Sequence, residues 1–165
     1  MALSKVILVR HAASTGPSSE APLSEEGYQQ SLRLAENLAP IGIDAVFSSP
    51  YKRAVETIEP FAENHNFDIQ ILLDLKERKL SAQPTDDWLE HIRKSFSDHD
   101  HHLEGGESLV DTRKRALKAI KSISEQDCKL PVAVSHGNWI ASVLTYIDSS
   151  FGFEDWRSLG NPDVI

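Results

Sequence analysis

The stretch "VILVRHAAST", Val6 to Thr15, sets Arg10 and His11 directly behind four apolar, mostly β-branched residues. An apolar run this short reads as a strand buried on both faces, here spanning Lys5–Arg10. Three further runs have the same character: Asp44–Ser48, Ile69–Leu73 and Pro131–Ser135. The polar pair then lies at the carboxyl end of the first run. It either ends a strand or forms the floor of a site.

Helical patterns separate the runs. Ser24 is suited to cap a helix reaching Leu38, with Glu25 and Glu26 against its positive end and Leu32, Leu34, Ala35 and Leu38 near helical spacing. Pro40 and Gly42 stop it. A second helix begins near Pro50 or Tyr51 and aligns Ala54, Ile58, Phe61 and Ala62. A third follows Thr85 with Trp88, Ile92 and Phe96. A fourth runs from about Glu107 to Ser124 with Leu109, Val110, Leu117, Ile120 and Ile123, and Glu107 and Ser108 are expected to open and cap it. A fifth follows Gly137 and carries Ile140, Val143, Leu144 and Ile147. Alternating strands and helices predict an α/β layered fold with a largely parallel sheet, whose ligands sit beyond the carboxyl ends of the strands.

Length and charge narrow the function. The 165 residues fit one domain with a real core. Seventeen Lys and Arg against 25 Asp and Glu give a net charge of −8, which argues against nucleic-acid or anionic-membrane partners. Any anion site must therefore be made by a few focused cations. The single cysteine, Cys128, excludes an intramolecular disulfide and points to a reducing compartment. Val6–Val9 is too short for a signal-peptide core, and a cytoplasmic protein is the expectation.

On one rim the topology gathers Arg10 and His11 after the first strand and Ser48, Ser49 and Pro50 after the second. Arg53 lies one turn into the helix that follows, and His136 and Gly137 come after the last strand. Arginine offers a planar fork of donors matched to phosphate oxygens, and a helix start adds unpaired amides. A neutral imidazole can attack phosphorus once an acceptor fixes its other nitrogen. The developing charge needs preorganised cations, here Arg10, Arg53 and a protonated or hydrogen-bonding His136. The leaving oxygen needs a proton, and Glu77, after the third strand, is the candidate donor. The scheme needs no metal and no cofactor. Ser48 and Ser49 read as turn and cap residues that also line the rim.

The motifs "VRHAAST", "LSEEGYQQ", "SSPYKRAVET", "LKE", "GGES" and "VSHG" occur in the order seen in the histidine phosphatase superfamily, whose members include the cofactor-dependent phosphoglycerate mutases. The chain resembles that family from Val6 to about Ser142. The resemblance implies an α/β/α sandwich around a mostly parallel mixed sheet, with no metal. It also implies a phosphorylated nucleophile at His11, phosphoryl-binding roles for Arg10, Arg53 and His136, and an acid at Glu77. Three departures stand out. Ala12 replaces the usual glycine. Ala13, Thr15 and Gly16 occupy positions where relatives have acidic or amide residues. The acid loop reads "LKERKLS". Relatives often continue through more strand beyond "NPDVI", so a short final edge is expected.

The expected activity is hydrolysis of a phosphate monoester, or of a phosphorylated protein side chain, through phospho-His11. The expected partner is a small phosphorylated substrate or a phosphoprotein, and oligomeric state is left open. Two rivals stay open at the level of sequence: mutase-type phosphoryl transfer, and a silent phospholigand-binding module. The segment Lys79–Gly105 is all the chain has for a lid, where mutases carry longer insertions. Within it, Asp98, His99, Asp100, His101 and His102 are too densely spaced for one ordered zinc site and read as a solvated loop, with His102 able to touch a substrate. Trp88 and Phe96 read as contacts of a helix with the core, and Cys128 lacks the surroundings of a cysteine phosphatase nucleophile.

Overall fold

The computed structural model describes residues 5–165. Five strands form one sheet in the order β3-β2-β4-β1-β5. They are β1 (Ile7–Arg10), β2 (Ala45–Ser48), β3 (Ile69–Ile71), β4 (Pro131–Ser135) and β5 (Asp163–Val164). The first four are parallel, and β5 runs antiparallel along β1 with Arg10 opposite Asp163. The helices are α1 (Glu25–Leu38), α2 (Lys52–His65), α3 (Trp88–Ser97), α4 (Leu109–Ser124), α5 (Gly137–Ile147) and α6 (Phe153–Ser158).

Strand alternation divides the core into two layers, as successive side chains point to opposite faces. Val9, Val46, Val132 and Val134 pack with Leu34, Leu38, Ile58 and Phe61 of α1 and α2. Leu8, Phe47 and Ala133 pack with Ala116, Ala119 and Ile123 of α4 and with Trp139, Ile140 and Val143 of α5. The result is the α/β/α sandwich with a mostly parallel mixed sheet.

Ser24 caps α1 by accepting from the Gly27 amide at 3.0 Å. Gly27 cannot be larger: a Cβ there would lie 1.8 Å from the Ala13 carbonyl oxygen. Ser108 caps α4 in a reciprocal box with Asp111. Glu107 does not open that helix. It lies before the cap, where its carboxylate is taken by Arg115.

Several expectations are corrected. The third strand ends at Ile71 and lies at the sheet edge, with Ile71 exposed, because only β2 flanks it. Leu73–Leu75 is a 3₁₀ turn. Leu117 and Ile147 are exposed, and the inward stripe of α4 is carried by Thr112, Ala116 and Ala119, whose small side chains let the helix approach the sheet. Trp88 is exposed at the start of α3, and Phe96 packs on Phe151, Phe153 and Trp156 around α6. That short helix is absent from the sequence reading. No helix among the described residues is long and apolar enough to cross a membrane.

Candidate active site

Sheet order fixes the rim. β1 and β4 are neighbours with Arg10 opposite Ser135, and the His11 amide donates to the Ser135 carbonyl at 3.1 Å. The next residue of each strand is therefore a histidine, and the His11 and His136 rings stand 5.1 Å apart. From β1 the chain passes to α1 on one face, and from β4 to α5 on the other. A crevice opens between the two strand ends, the position at which open α/β sheets bind ligands. β2 completes the rim, with the Ser49 amide donating to Val134 O at 2.9 Å and bringing Ser49 beside His136.

The protonation of His11 follows from its partners. Nδ1 lies 2.7 Å from the Ala12 carbonyl, which can only accept, so Nδ1 carries the hydrogen. Nε2 faces Arg53, whose Nε–H donates to it at 3.2 Å, so Nε2 holds a lone pair. Burial, followed by Arg53 and Arg10, lowers the pKa of His11 to about 4 against the pull of the Ala12 carbonyl. The imidazole is neutral, with its lone pair aimed at a guanidinium. The peptide linking His11 to Ala12 is pinned at both ends: Asn161 Nδ2 donates to His11 O at 2.7 Å, and the Ala12 amide donates to Thr57 Oγ1 at 2.9 Å. Ala12 is fully buried and has no positive φ, so its backbone does not require glycine.

His136 is fully buried, its Nε2 2.7 Å from Ser49 Oγ and its ring edge-on to Tyr51 at 4.9 Å. Burial, with His11 and the nearby arginines, holds its pKa well below the ordinary value, so the resting ring is neutral. Both arginines are anchored by backbone carbonyls. Arg10 Nη1 donates to Leu159 O at 2.7 Å, and Arg53 Nη1 donates to Ser18 O at 2.7 Å and Pro17 O at 3.2 Å. Burial lowers the pKa of each guanidinium, and the Glu77 carboxylate is the leading opposing influence on both.

Glu77 joins the group from the acid loop. Its carboxylate accepts from the amides of Arg78 at 2.7 Å, Trp139 at 3.1 Å and Asn138 at 3.2 Å, two of which open α5. Burial raises its pKa, outweighing those amides and Arg10. Buried polar side-chain atoms without a partner among the described residues include Arg10 Nε, His136 Nδ1, Asn138 Oδ1 and Trp156 Nε1. These four belong to the head of α5 or to residues against it, where a Cβ on Gly137 would meet Arg10 Nε at 3.2 Å and Trp156 Nε1 at 3.3 Å; a fifth, Arg78 Nη1, lies apart in the acid loop. Unpaired buried polar groups are costly, so their gathering marks where an incoming polar group gains most.

Arg10, His11, Arg53, Glu77 and His136 thus share one site, with Ser49 beneath His136. Ser48 turns its hydroxyl to Ser49 O instead. Sequence reasoning missed Thr57, Tyr51, Asn161 and Trp156. Only Thr57 carried a signal, four residues after Arg53 on the same helical face. Two histidines of the 98–102 segment are tied to the flanking helices: His101 Nε2 lies 3.0 Å from His91 Nδ1 on α3, and His99 Nδ1 lies 3.3 Å from Arg113 Nη2 on α4. His102 is exposed, with Nδ1 3.0 Å from Asp100 O. No group of three or more His, Cys, Asp or Glu side chains converges as metal ligands among the described residues.

A family model described as histidine phosphatase superfamily (branch 1) matches residues 6–163. The chain is similar to phosphoserine phosphatase 1 of Hydrogenobacter thermophilus, 28% identical over 80% of this chain and 70% of that protein. It is similar to the 2,3-bisphosphoglycerate-dependent phosphoglycerate mutase of Rhizobium etli, 30% identical over 88% of this chain and 81% of that one. Among solved structures, the mycobacterial glucosyl-3-phosphoglycerate phosphatase in complex with inorganic phosphate superposes with a TM-score of 0.72. It is 24% identical, and the match covers 94% of this chain and 83% of that one, a likeness of fold.

Proposed function

Because this chain belongs to the histidine phosphatase superfamily (branch 1), we propose that it hydrolyses a phosphate monoester through a phosphohistidine at His11. The observation that carries the reading is the fixed tautomer of His11: Nδ1 committed to Ala12 O, Nε2 bearing a lone pair against Arg53.

In this scheme a phosphoryl oxygen takes over the Arg53 Nε–H, and the freed Nε2 lone pair attacks phosphorus. The P–O bond to the leaving group breaks, its electron pair stays on oxygen, and Glu77 supplies the proton. Arg10, Arg53 and His136 stabilise the charge on the transferring group. Water then attacks phosphorus, gives its proton to the Glu77 carboxylate, and the P–N electron pair returns to His11. The acid–base cycle closes with phosphate released. The segment 79–105 covers the rim as the selectivity lid, and the substrate is a small phosphorylated molecule or a phosphoprotein.

The test is turnover of an aryl phosphate by wild type and His11→Ala. Loss on the order of 10⁴-fold or more is expected, as no neighbouring group can replace a covalent nucleophile. Comparable turnover in the variant would defeat the scheme. Mutase chemistry is the second reading, favoured by the similarity to a phosphoglycerate mutase. Phosphoglycerate isomerisation that depends on a bisphosphoglycerate primer would establish it instead.

A further inference from the structure

The acid loop has a holder that the scheme above does not use. Between the 3₁₀ turn and the start of the lid, the backbone leaves regular structure, with Lys76 extended at φ −62° and ψ 156°. Carbonyls in such a stretch have no ladder to pair with and must find other donors. Arg115, on α4, reaches across to supply them. Its Nη1 donates to Asp74 O at 2.9 Å and Lys76 O at 2.8 Å, and Nη2 makes a longer contact of 3.4 Å with Glu77 O.

The guanidinium is itself fixed. Nε donates to Glu107 Oε1 and Nη2 to Glu107 Oε2, both at 2.9 Å, a two-pronged ion pair with the Arg115 side chain only 12% exposed. Glu107 Oε2 also accepts from the Lys79 amide at 3.0 Å, and the Glu107 amide donates to Lys79 O at 2.7 Å. The pair therefore grips the loop on both sides of Glu77. One planar group with five N–H donors can hold a carboxylate fork and several carbonyls together; a lysine ammonium cannot.

We propose that Arg115, locked by Glu107, is the positioning residue for the proton donor, setting the Glu77 backbone so that its carboxyl meets the leaving oxygen. This rests on the reading of Glu77 as the acid. A general acid matters most for a poor leaving group, and an ångström of misplacement costs much of its advantage.

The experiment compares p-nitrophenyl phosphate, whose leaving oxygen needs little protonation, with β-glycerophosphate, whose alkoxide needs it fully. Glu77→Gln, Arg115→Met, Arg115→Lys and Glu107→Gln are assayed at equal folded concentration, checked by thermal melting. Glu77→Gln is expected to lower kcat/KM on β-glycerophosphate by about 10²-fold more than on p-nitrophenyl phosphate. Both Arg115 variants are expected to reproduce that selectivity at about tenfold, with KM unchanged. Glu107→Gln, which keeps the side-chain shape, shifts the same way and carries the test if the Arg115 variants fail to fold. Equal losses on both substrates beside a selective Glu77→Gln would overturn the positioning role alone. A Glu77→Gln with no selectivity would remove the acid assignment, and this inference with it.

Discussion

At the scale of single residues, the site works by opposed shifts. His11 is kept unprotonated down to about pH 4, while burial lifts Glu77 above the ordinary carboxylate range. In the proposed scheme His11 needs its lone pair and Glu77 needs its proton, so activity is expected between the two transitions. A kcat/KM profile on an alkyl phosphate is expected to fall below about pH 4 as His11 protonates. Its alkaline limb, set by loss of the Glu77 proton, is expected to disappear in Glu77→Gln. An alkaline limb kept in that variant would assign the proton to another group.

Residue chemistry was the most legible part of the sequence. Arginine and histidine after a buried apolar run have few purposes, and four of the five named site residues end a strand, directly follow one or open the next helix. Glu77 was placed on weaker grounds, because "LKERKLS" gives no indication that helix amides and Arg115 would fix it. Asn161 and Trp156 were illegible: their approach depends on how the last residues fold back across β1, a long-range event without local pattern.

At the scale of elements, the register of β1 on β4 sets the distance between the two histidines, and α1 supports the loop that leaves β1. Gly27 is the contact point, pressed on Ala13 O, while the Ser24 amide donates to that same oxygen at 2.9 Å. Gly27→Ala is expected to cost about 3 kcal/mol in a denaturant or thermal melt, because a methyl group cannot share space with a carbonyl. The displaced Ala13 would also move Ala12 O, the acceptor that orients His11. Loss of activity beyond the unfolded fraction is the expected companion. An unchanged melting temperature would show that α1 does not bear on this loop.

Periodicity located α1 and α2 well because their apolar residues pack as one face on the sheet, and it located α5 apart from the exposed Ile147. On α4 it placed Leu109 and Ile123 correctly but misjudged Leu117, which is exposed while Ala116 and Ala119 face inward. It missed α6, which is too short to display a period and packs on Phe96, whereas β5 is the short final edge expected around "NPDVI", paired with β1.

For the whole molecule, keeping the histidines neutral has a thermodynamic consequence. Above pH 6.5 neither folded nor unfolded His11 is protonated, and no penalty applies. Below it, the unfolded chain binds a proton that the folded site refuses until about pH 4, so stability falls as the pH drops through this window. For His11 alone the loss approaches ~3 kcal/mol. His136 adds to it in the same direction, and Glu77 opposes it because its folded pKa is raised. Denaturant unfolding at pH 7 and pH 4.5 is expected to show a smaller drop for His11→Gln than for wild type. An equal drop would mean that acid unfolding is governed by other groups.

The segment 79–105 has a narrow root. A Cβ on Gly106 would fall 2.0 Å from Leu80 O, and the Ala82 amide donates to Glu104 O at 2.9 Å, so the segment leaves and re-enters the sandwich at nearly one point. Under the proposed role as a selectivity lid, the parts of this segment clear of the Arg78–Ser95 and Phe96–Trp156 contacts can change in length while the base stays fixed. On that reading, descent with modification can rewrite what such a scaffold accepts while keeping the groups at its strand ends.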